Sequence, residues 1–347
     1  MSSVPRPSRR ALVVSACGFA CLLLGVLTAL GSADEAAPAA KSVAPSEPSA
    51  KAKLRAKAAA KAPVYVGAYS VDHEFKFVTE ECMEIIRSKK ILFGSRSWGL
   101  GLGTLMARKD KKYEVVWESH SRERVNDKER VLQADAFDQP KIVHYVFDAV
   151  PRRWAFMDDF LRKAPWKFGG KIDGCFQSLY CGPEKEAQQM ADEYFPMLEK
   201  LIRDCPKVRF AILTHPVSGD GPDMKGNHKD AASSWNIGGG DYSDQVVRRY
   251  YGKVPILDIR DIVSTHADGK PCTFKHNGKT YRKLCPEYNV KGGDLIHPNT
   301  SEARERMGKG FILLLAKMFC ADKLPAMDTP KPEILKRGDP CKGGAGD

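Results

Sequence analysis

The chain has 347 residues, of which 43% are hydrophobic and 28% are charged, and its formal net charge is +12. Residues 1–62 hold nine basic and three acidic side chains, so half of that charge lies in this short segment and the remaining body is only moderately basic. The basic residues are dispersed and no basic–aromatic motif accompanies them, which excludes nucleic acid as the expected partner.

The N-terminal 62 residues divide into two segments of different composition. Three arginines precede an apolar run over residues 11–30, and small residues follow it, which predicts a secretory signal peptide in residues 1–33. The run is also long enough to cross a bilayer, so attachment to a membrane by an uncleaved N-terminal anchor stays open. Residues 34–62 are rich in Ala, Pro, Ser and Lys, which predicts a disordered tether. We therefore expect an exported protein, located in the periplasm, in the cell envelope or outside the cell.

Eight cysteines follow the signal-like segment, and an even number in an exported chain favours disulfides. A predicted hairpin over residues 273–284 contains an Asn-Gly turn and would bring Cys272 next to Cys285. A second pairing, Cys320–Cys341, would join the C-terminal tail to the last helix. No Cys-x-x-Cys pair exists and the histidine spacings fit no known ligand pattern, so we expect neither a metal site nor an organic cofactor.

The body, residues 63–324, is predicted to be one large α/β domain, and residues 325–347 form an irregular tail rich in Pro, Gly and Lys. Short apolar runs alternate with amphipathic segments, which predicts a parallel sheet with helices on both faces. The predicted strands are Lys90–Phe93, Tyr113–Trp117, Ile172–Tyr180, Val208–Leu213 and Val254–Ile259. The predicted helices are Thr79–Ser88, Leu100–Arg108, Trp154–Lys163, Glu184–Asp204, Ser243–Tyr251 and Ser301–Met318.

Two glycine-rich stretches interrupt this pattern. The segment 218–241 is rich in Gly, Asp and Ser, which predicts a long loop that is either a functional lid or disordered. Glycines at 99, 101 and 103 follow a strand as in a dinucleotide-binding loop, but Thr104 stands where the third glycine of that motif belongs. We therefore interpret them as glycines that let a helix pack closely on the sheet.

Two polar motifs lie where a parallel sheet binds its ligands. Asp294 precedes His297 by three residues, in a loop that leads into the last predicted helix, and Ser97 follows the first predicted strand. Because ligands bind beyond the carboxyl ends of parallel strands, both motifs are expected on the same edge of the sheet. A serine hydrolase needs a histidine to accept the proton of its nucleophile and an acid to orient that histidine. The alternative is that Ser97 only caps the following helix.

At this point the chain resembles the SGNH/GDSL hydrolase superfamily, and in particular its divergent members whose first block reads Phe-Gly-His-x-Ser-Val-Gly. The blocks that carry the resemblance are Phe93–Gly99, Lys171–Asp173 with Ser178–Cys181, Thr214–Pro216, Pro255–Ile259 and Asp294–His297. The resemblance implies a three-layer α/β/α sandwich with a parallel, flavodoxin-like sheet, and ester hydrolysis. It implies that Ser97 is the nucleophile, His297 the base and Asp294 the carboxylate that orients it.

The chain departs from the family at two places. The usual Gly-Asp-Ser has become Gly-Ser-Arg-Ser, so Ser95 is an alternative nucleophile. The block that supplies an asparagine to the oxyanion hole is absent, and Tyr180 lies where the third strand ends. The remaining candidates for binding the oxyanion or the substrate are Trp98 and Gly99, in the serine turn, and Asn236, beside the glycine run.

These observations predict an exported serine esterase that hydrolyses a small acyl ester, with a carbohydrate O-acetyl group as the narrower candidate. The competing hypothesis is a catalytically inactive envelope protein that keeps the fold and binds a glycan or a protein partner.

Overall fold

The computed structural model describes residues 63–107, 112–121, 124–125, 128–129, 132–146, 154–179, 184–219, 231–290 and 297–336. The strands are β1 (Tyr65–Val66), β2 (Lys90–Ser95), β3 (Trp117–Ser121), β4 (Arg124–Val125), β5 (Lys128–Glu129), β6 (Lys141–Val146), β7 (Gly174–Ser178), β8 (Arg209–Leu213), β9 (Ile256–Leu257), β10 (Thr273–His276) and β11 (Lys279–Arg282). The helices are α1 (Ala68–His73), α2 (Glu80–Arg87), α3 (Trp98–Gly103), α4 (Ala155–Arg162), α5 (Glu184–Asp204), α6 (Ala231–Tyr250), α7 (Ile259–Val263), α8 (Ser301–Phe319) and α9 (Glu333–Lys336).

Seven strands form one sheet in the order β1-β9-β8-β7-β2-β6-β3, and every neighbouring pair in it is parallel. Successive side chains of a strand point to opposite faces, so each strand contributes to two cores. In β2, Ile91 and Phe93 are buried in one core, whereas Leu92 is buried in the other. The sheet is therefore covered on both faces, as expected for a parallel sheet.

The helices divide into two layers around this sheet. Residues of α1, α2, α3, α7 and α8 bury their apolar side chains in the core that contains Phe93. Residues of α4, α5 and α6 bury theirs in the core that contains Leu92. This arrangement confirms the predicted three-layer α/β/α sandwich with a parallel sheet.

The order of the strands reverses at β2. After β2 the chain forms β3 and β6 on one side of it, and then β7, β8 and β9 on the other side. Such a switch point opens a crevice at the carboxyl ends of the strands, which is where α/β proteins bind ligands. The residues that follow Ser95 therefore lie at the expected place for a site.

Most of the predicted elements exist, with shifted ends. The strand predicted at 113–117 begins only at Trp117, because residues 112–113 form a turn and residues 114–116 are irregular. The sequence reading missed β1, which has two residues, and β6, in which the polar residue His144 interrupts an apolar run.

The predicted loop over residues 218–241 is wrong from residue 231 onward, because α6 begins there and includes the three glycines. These glycines allow close contacts instead of a loop. A Cβ at Gly239 would lie 2.2 Å from Nδ1 of His215, and one at Gly240 would lie 3.1 Å from Cδ1 of Tyr281. The part of this stretch at 220–230 lies outside the described residues.

Two disulfides form in the described chain, as is typical of proteins from an oxidising compartment. Cys272–Cys285 is the predicted pair, and its hairpin turns at Asn277-Gly278 with positive φ at both residues, as predicted. The predicted Cys320–Cys341 pair is wrong, because Cys320 is bonded to Cys82. Helix α2 packs on α8, and this contact brings together two cysteines that are 238 positions apart.

The signal-like segment and the tether of residues 1–62 lie outside the described residues, so the boundaries predicted for them stay predictions. Within the described ranges, which end at residue 336, we find no helix with the length and apolar character needed to cross a membrane.

Packing of α8 on the sheet predicts a large loss of stability when Phe311 is shortened. This ring is fully buried, and its centroid lies 5.2 Å from that of Phe93 and 6.0 Å from that of Phe176. Phe311→Ala should lower the free energy of unfolding by about 3–5 kcal/mol, measured by urea denaturation. The matched control is Val116→Ala, since Val116 is 58% exposed, and its effect should stay within about 0.5 kcal/mol. Similar losses in the two variants would contradict this account of the core.

Candidate active site

Ser97 lies in the turn between β2 and α3, and its side chain is exposed. The turn is closed by the backbone N–H of Gly99, which donates to the carbonyl oxygen of Arg96 at 2.9 Å, and by that of Leu100, which donates to Ser97 at 3.2 Å. In the described chain the Ser97 side chain makes no capping hydrogen bond to α3. The helix-capping role that the sequence left open is therefore not what this side chain does.

His297 lies just before α8, and the backbone around it is held at two points. The Thr300 side chain caps α8 by accepting from the N–H of Ala303 at 3.2 Å. The N–H of Asn299 donates to the carbonyl of Tyr288 at 3.1 Å. With the loop held this way, Nε2 of His297 lies 2.6 Å from Oγ of Ser97, although the two residues are 200 positions apart.

This serine–histidine pair opens into a cleft of about 440 Å³. Its walls are partly apolar, from Trp98, Leu100 and Met307, and partly polar, from Thr104, Asn299 and Arg304. The Trp98 ring is buried beside the imidazole of His297, with 6.0 Å between the ring centroids. The cleft therefore offers an apolar wall and several hydrogen-bonding groups next to a paired hydroxyl and imidazole.

A second serine–histidine pair lies directly beneath this turn and is buried. Oγ of Ser95 lies 2.7 Å from Nε2 of His144, and Oγ of Ser119 lies 3.2 Å from Nδ1 of the same ring. The Ser95 hydroxyl also donates to the carbonyl of Arg96 at 2.7 Å, and the indole N–H of Trp117 donates to Ser119 at 3.0 Å.

One assignment of protons satisfies every member of this network. Because the Ser95 hydroxyl gives its single proton to a carbonyl, His144 must donate to it through Nε2–H. Nδ1 of His144 then accepts from Ser119, which itself accepts from Trp117. The chain of bonds ends on the carbonyl of Arg96, so it supports the backbone of the serine turn.

Burial keeps the imidazole of His144 neutral. Desolvation is the main cause that lowers the pKa of His144 to about 3, and the nearby His120 adds a smaller effect of the same direction. A neutral ring is what the network requires, because one nitrogen donates and the other accepts.

Gly99 is required by the close approach of α3 to this network. A Cβ at this position would lie 1.9 Å from Oγ of Ser95 and 2.5 Å from Nε2 of His144. A Cβ at Gly103 would lie 2.5 Å from the ring of Trp117. The glycines of α3 therefore pack the helix on the sheet, as the sequence indicated.

Of the other predicted site residues, only Trp98 lines the cleft with Ser97 and His297 in the part of the chain that the structure describes. Asp294 and Tyr180 lie outside the described residues. Asn236 is buried, and its side-chain amide binds both the N–H of Ser218, at 2.7 Å, and the carbonyl of Ser218, at 2.9 Å. Its amide thus holds the backbone after β8. The N–H of Gly99 is used within the turn itself.

The sequence analysis missed the roles of His144 and Ser119. The only sequence signal was a histidine inside an otherwise apolar strand, Lys-Ile-Val-His-Tyr-Val. A buried polar group needs hydrogen-bond partners, but the sequence does not show which hydroxyls supply them.

The fold and the site define a class: a three-layer α/β/α protein with a serine and a histidine paired at the carboxyl edge of its sheet. No protein-family model and no curated protein matches the chain. Solved structures that are similar to it include the following two. One is a presumed acylhydrolase from Bacteroides fragilis, with 11% identity, a TM-score of 0.39, and coverage of 70% of this chain and 96% of that chain. The other is a presumed platelet activating factor from Streptococcus pneumonia, with 11% identity, a TM-score of 0.36, and coverage of 72% and 94%. At these values the likeness carries no argument about activity.

The lowered pKa of His144 predicts that acid destabilises the fold. Below about pH 6.5 the unfolded chain protonates this histidine, whereas the folded protein resists protonation until about pH 3, so protons favour the unfolded state. Between pH 5.5 and 4 the wild type should lose about 2 kcal/mol more unfolding free energy than a His144→Gln variant. Urea denaturation at each pH measures this difference. His276→Gln, at an exposed histidine, should show the same change of unfolding free energy with pH as the wild type. If His144→Gln also showed the wild-type change with pH, His144 would not be the group that resists protonation in the folded protein.

Proposed function

We propose that this chain is an exported serine esterase of the SGNH type that hydrolyses a small acyl ester. The observation that carries the proposal is the 2.6 Å contact between Oγ of Ser97 and Nε2 of His297, at the mouth of a cleft. An imidazole nitrogen at this distance can accept the proton of the attacking hydroxyl.

In the proposed reaction, Ser97 attacks the carbonyl carbon of the ester while His297 takes its proton. The histidine then gives this proton to the leaving alcohol, and water hydrolyses the acyl-enzyme by the same steps in reverse order. Asp294 is proposed to orient the imidazole, because it precedes His297 by only three residues in the same loop.

Exposure and proton assignment favour Ser97 over Ser95 as the nucleophile. The Ser95 side chain is buried, and its hydroxyl proton is directed at the carbonyl of Arg96. The imidazole next to it, His144, donates to Ser95, and burial lowers its pKa to about 3 and so opposes uptake of a proton, which makes it unsuited to act as the base. A nucleophile must be accessible to the substrate, and so must its base. Ser97 is exposed, and its partner His297 lines the cleft.

For the oxyanion hole we propose the backbone N–H of Trp98. The N–H of Gly99 donates to the carbonyl of Arg96, and the amide of Asn236 is bound to Ser218. A hole with fewer donors predicts a modest turnover, because loss of one donor typically costs about 100- to 1000-fold.

The cleft favours a short acyl group on a polar alcohol. Trp98, Leu100 and Met307 provide a small apolar surface, whereas Arg304 and Asn299 provide hydrogen bonds. A carbohydrate O-acetyl group has this combination of a short acyl chain and a polar alcohol, and it is the narrower substrate that we propose.

Covalent labelling tests the nucleophile without knowledge of the substrate. A fluorophosphonate probe should label the wild type and Ser95→Ala, because Ser95 is buried in a structural network. It should fail to label Ser97→Ala, and His297→Ala should be labelled far more slowly. Mass spectrometry identifies the modified residue. Labelling of Ser97→Ala at Ser95 would transfer the role to Ser95.

Hydrolysis of p-nitrophenyl esters from acetate to octanoate gives the acyl preference. We expect the highest kcat/KM with the shortest acyl groups, and a loss of about 10⁴-fold or more in Ser97→Ala and His297→Ala. Wild-type protein that is neither labelled nor active would support the alternative, an inactive envelope protein, and a glycan-binding screen would follow.

The orienting role of Asp294 predicts a separate effect. Asp294→Asn should reduce kcat by about 10⁴-fold while KM changes little, because the amide stabilises the wrong tautomer of the imidazole. Asp322→Asn, at an acid after α8, serves as the matched control and should keep the wild-type kcat. An unchanged kcat in Asp294→Asn would assign the orienting role to another residue.

A further inference from the structure

The Cys272–Cys285 disulfide lies beside a histidine–glutamate pair that the proposed esterase does not use. Nε2 of His266 lies 2.9 Å from Sγ of Cys272, and Nδ1 of the same ring lies 2.6 Å from Oε1 of Glu287. A sulfur, an imidazole and a carboxylate in a row form the arrangement that stabilises a reactive thiolate in cysteine enzymes.

The backbone fixes this arrangement from both ends of the β10–β11 hairpin. The N–H of Lys283 donates to the carbonyl of Cys272 at 3.0 Å, and the N–H of Cys272 donates to that of Ser264 at 2.8 Å. The N–H of Cys285 donates to the carbonyl of Val263 at 3.1 Å. The backbone of both cysteines is therefore held in place, and the His266 ring is held between Cys272 and Glu287 by its two nitrogens.

The two disulfides differ in their surroundings. Cys82 and Cys320 are both fully buried in the core beneath α8. Cys272 is 5% exposed, and the side chain of His266, which lies against its sulfur, is 38% exposed. Because Cys285 is fully buried, an attacking thiolate reaches Cys272 first.

We propose that Cys272–Cys285 is a thiol–disulfide exchange centre, in which the His266–Glu287 pair stabilises the thiolate of Cys272. The partner is a dithiol. Its first thiolate attacks Sγ of Cys272, the Cys272–Cys285 bond breaks, and Cys285 leaves as a thiolate and takes up a proton from water. His266 then takes the proton of the partner's second thiol. The resulting thiolate attacks the partner's first sulfur in the mixed disulfide, and Cys272 leaves as a thiolate paired with the protonated imidazole of His266. The partner is oxidised to a disulfide, and the protein gains two electrons and two protons.

The same geometry operates in the reverse direction. In the reduced protein the Cys272 thiolate attacks a disulfide in a partner, and Cys285 resolves the mixed disulfide by attacking Cys272. Glu287 acts through the imidazole, because its carboxylate on Nδ1 orients the ring and directs Nε2 at the sulfur of Cys272.

Redox equilibration of the full chain tests the proposal. The purified protein is incubated in defined ratios of reduced to oxidised dithiothreitol and quenched by alkylation, and peptide mass spectrometry measures the reduced fraction of each disulfide. We expect Cys272–Cys285 to be reduced at a lower ratio than Cys82–Cys320. His266→Gln and Glu287→Gln should each require a ratio at least about fivefold higher to reduce Cys272–Cys285, whereas Cys82–Cys320 should not change.

His276→Gln is the matched control, since it removes an exposed histidine from the same hairpin and should leave both equilibria at their wild-type values. A second measurement separates thiolate stabilisation from a structural role. In a Cys285→Ser variant, iodoacetamide at pH 7 should alkylate Cys272 about tenfold faster than in the same variant carrying His266→Gln. Equal alkylation rates, or a Cys272–Cys285 bond that stays oxidised where Cys82–Cys320 is reduced, would overturn the proposal.

Discussion

The packing of α8 across the sheet is the interaction on which the site depends. The start of α8 follows His297 directly, and the end of β2 leads directly into Ser97, so the distance between the two side chains is set by how helix and strand meet. Phe311 makes this contact by burying its ring against Phe93. A buried aromatic side chain contributes about 1.5–3 kcal/mol through removal of apolar surface from water alone, which is more than a single hydroxyl–imidazole bond contributes. The apolar core therefore positions the polar pair.

The buried hydrogen-bond network of Ser95, His144 and Ser119 positions the turn that carries Ser97. A strand such as β6, with neighbours on both sides and helices on both faces, would normally be wholly apolar. His144 is tolerated there because its two nitrogens bind Ser95 and Ser119, and because burial keeps the ring uncharged. The network ends on the backbone of the turn that carries Ser97. It thus fixes the position of that turn by directional bonds, which apolar packing alone does not provide.

The sequence predicts a parallel sheet with helices on both faces and the Cys272–Cys285 hairpin, because these rest on local periodicity and on a short turn motif. It predicts the shared edge of the sheet because Ser97 directly follows a recognisable strand. It does not predict α6 across the three glycines, since their packing on His215 and Tyr281 depends on contacts far along the chain. The Cys82–Cys320 bond is not predicted either, because it joins cysteines that are 238 positions apart. Equally, no local pattern shows that His144 forms a hydrogen bond with Ser95, because the partners of a buried polar group depend on the order of the strands in the sheet.

Two serine–histidine pairs with nearly equal separations, 2.6 Å and 2.7 Å, lie on the two sides of this one turn. Distance alone therefore does not distinguish a catalytic pair from a structural one. Ser95 and His144 are both buried, and the Ser95 hydroxyl and both ring nitrogens of His144 are bound to other groups of the protein, so this pair is closed to a substrate. In the Ser97–His297 pair the hydroxyl is exposed and the imidazole lines the cleft, so a substrate that enters the cleft can contact both side chains. Solvent access and the saturation of hydrogen bonds, rather than proximity, are what favour Ser97 as the nucleophile of the proposed reaction.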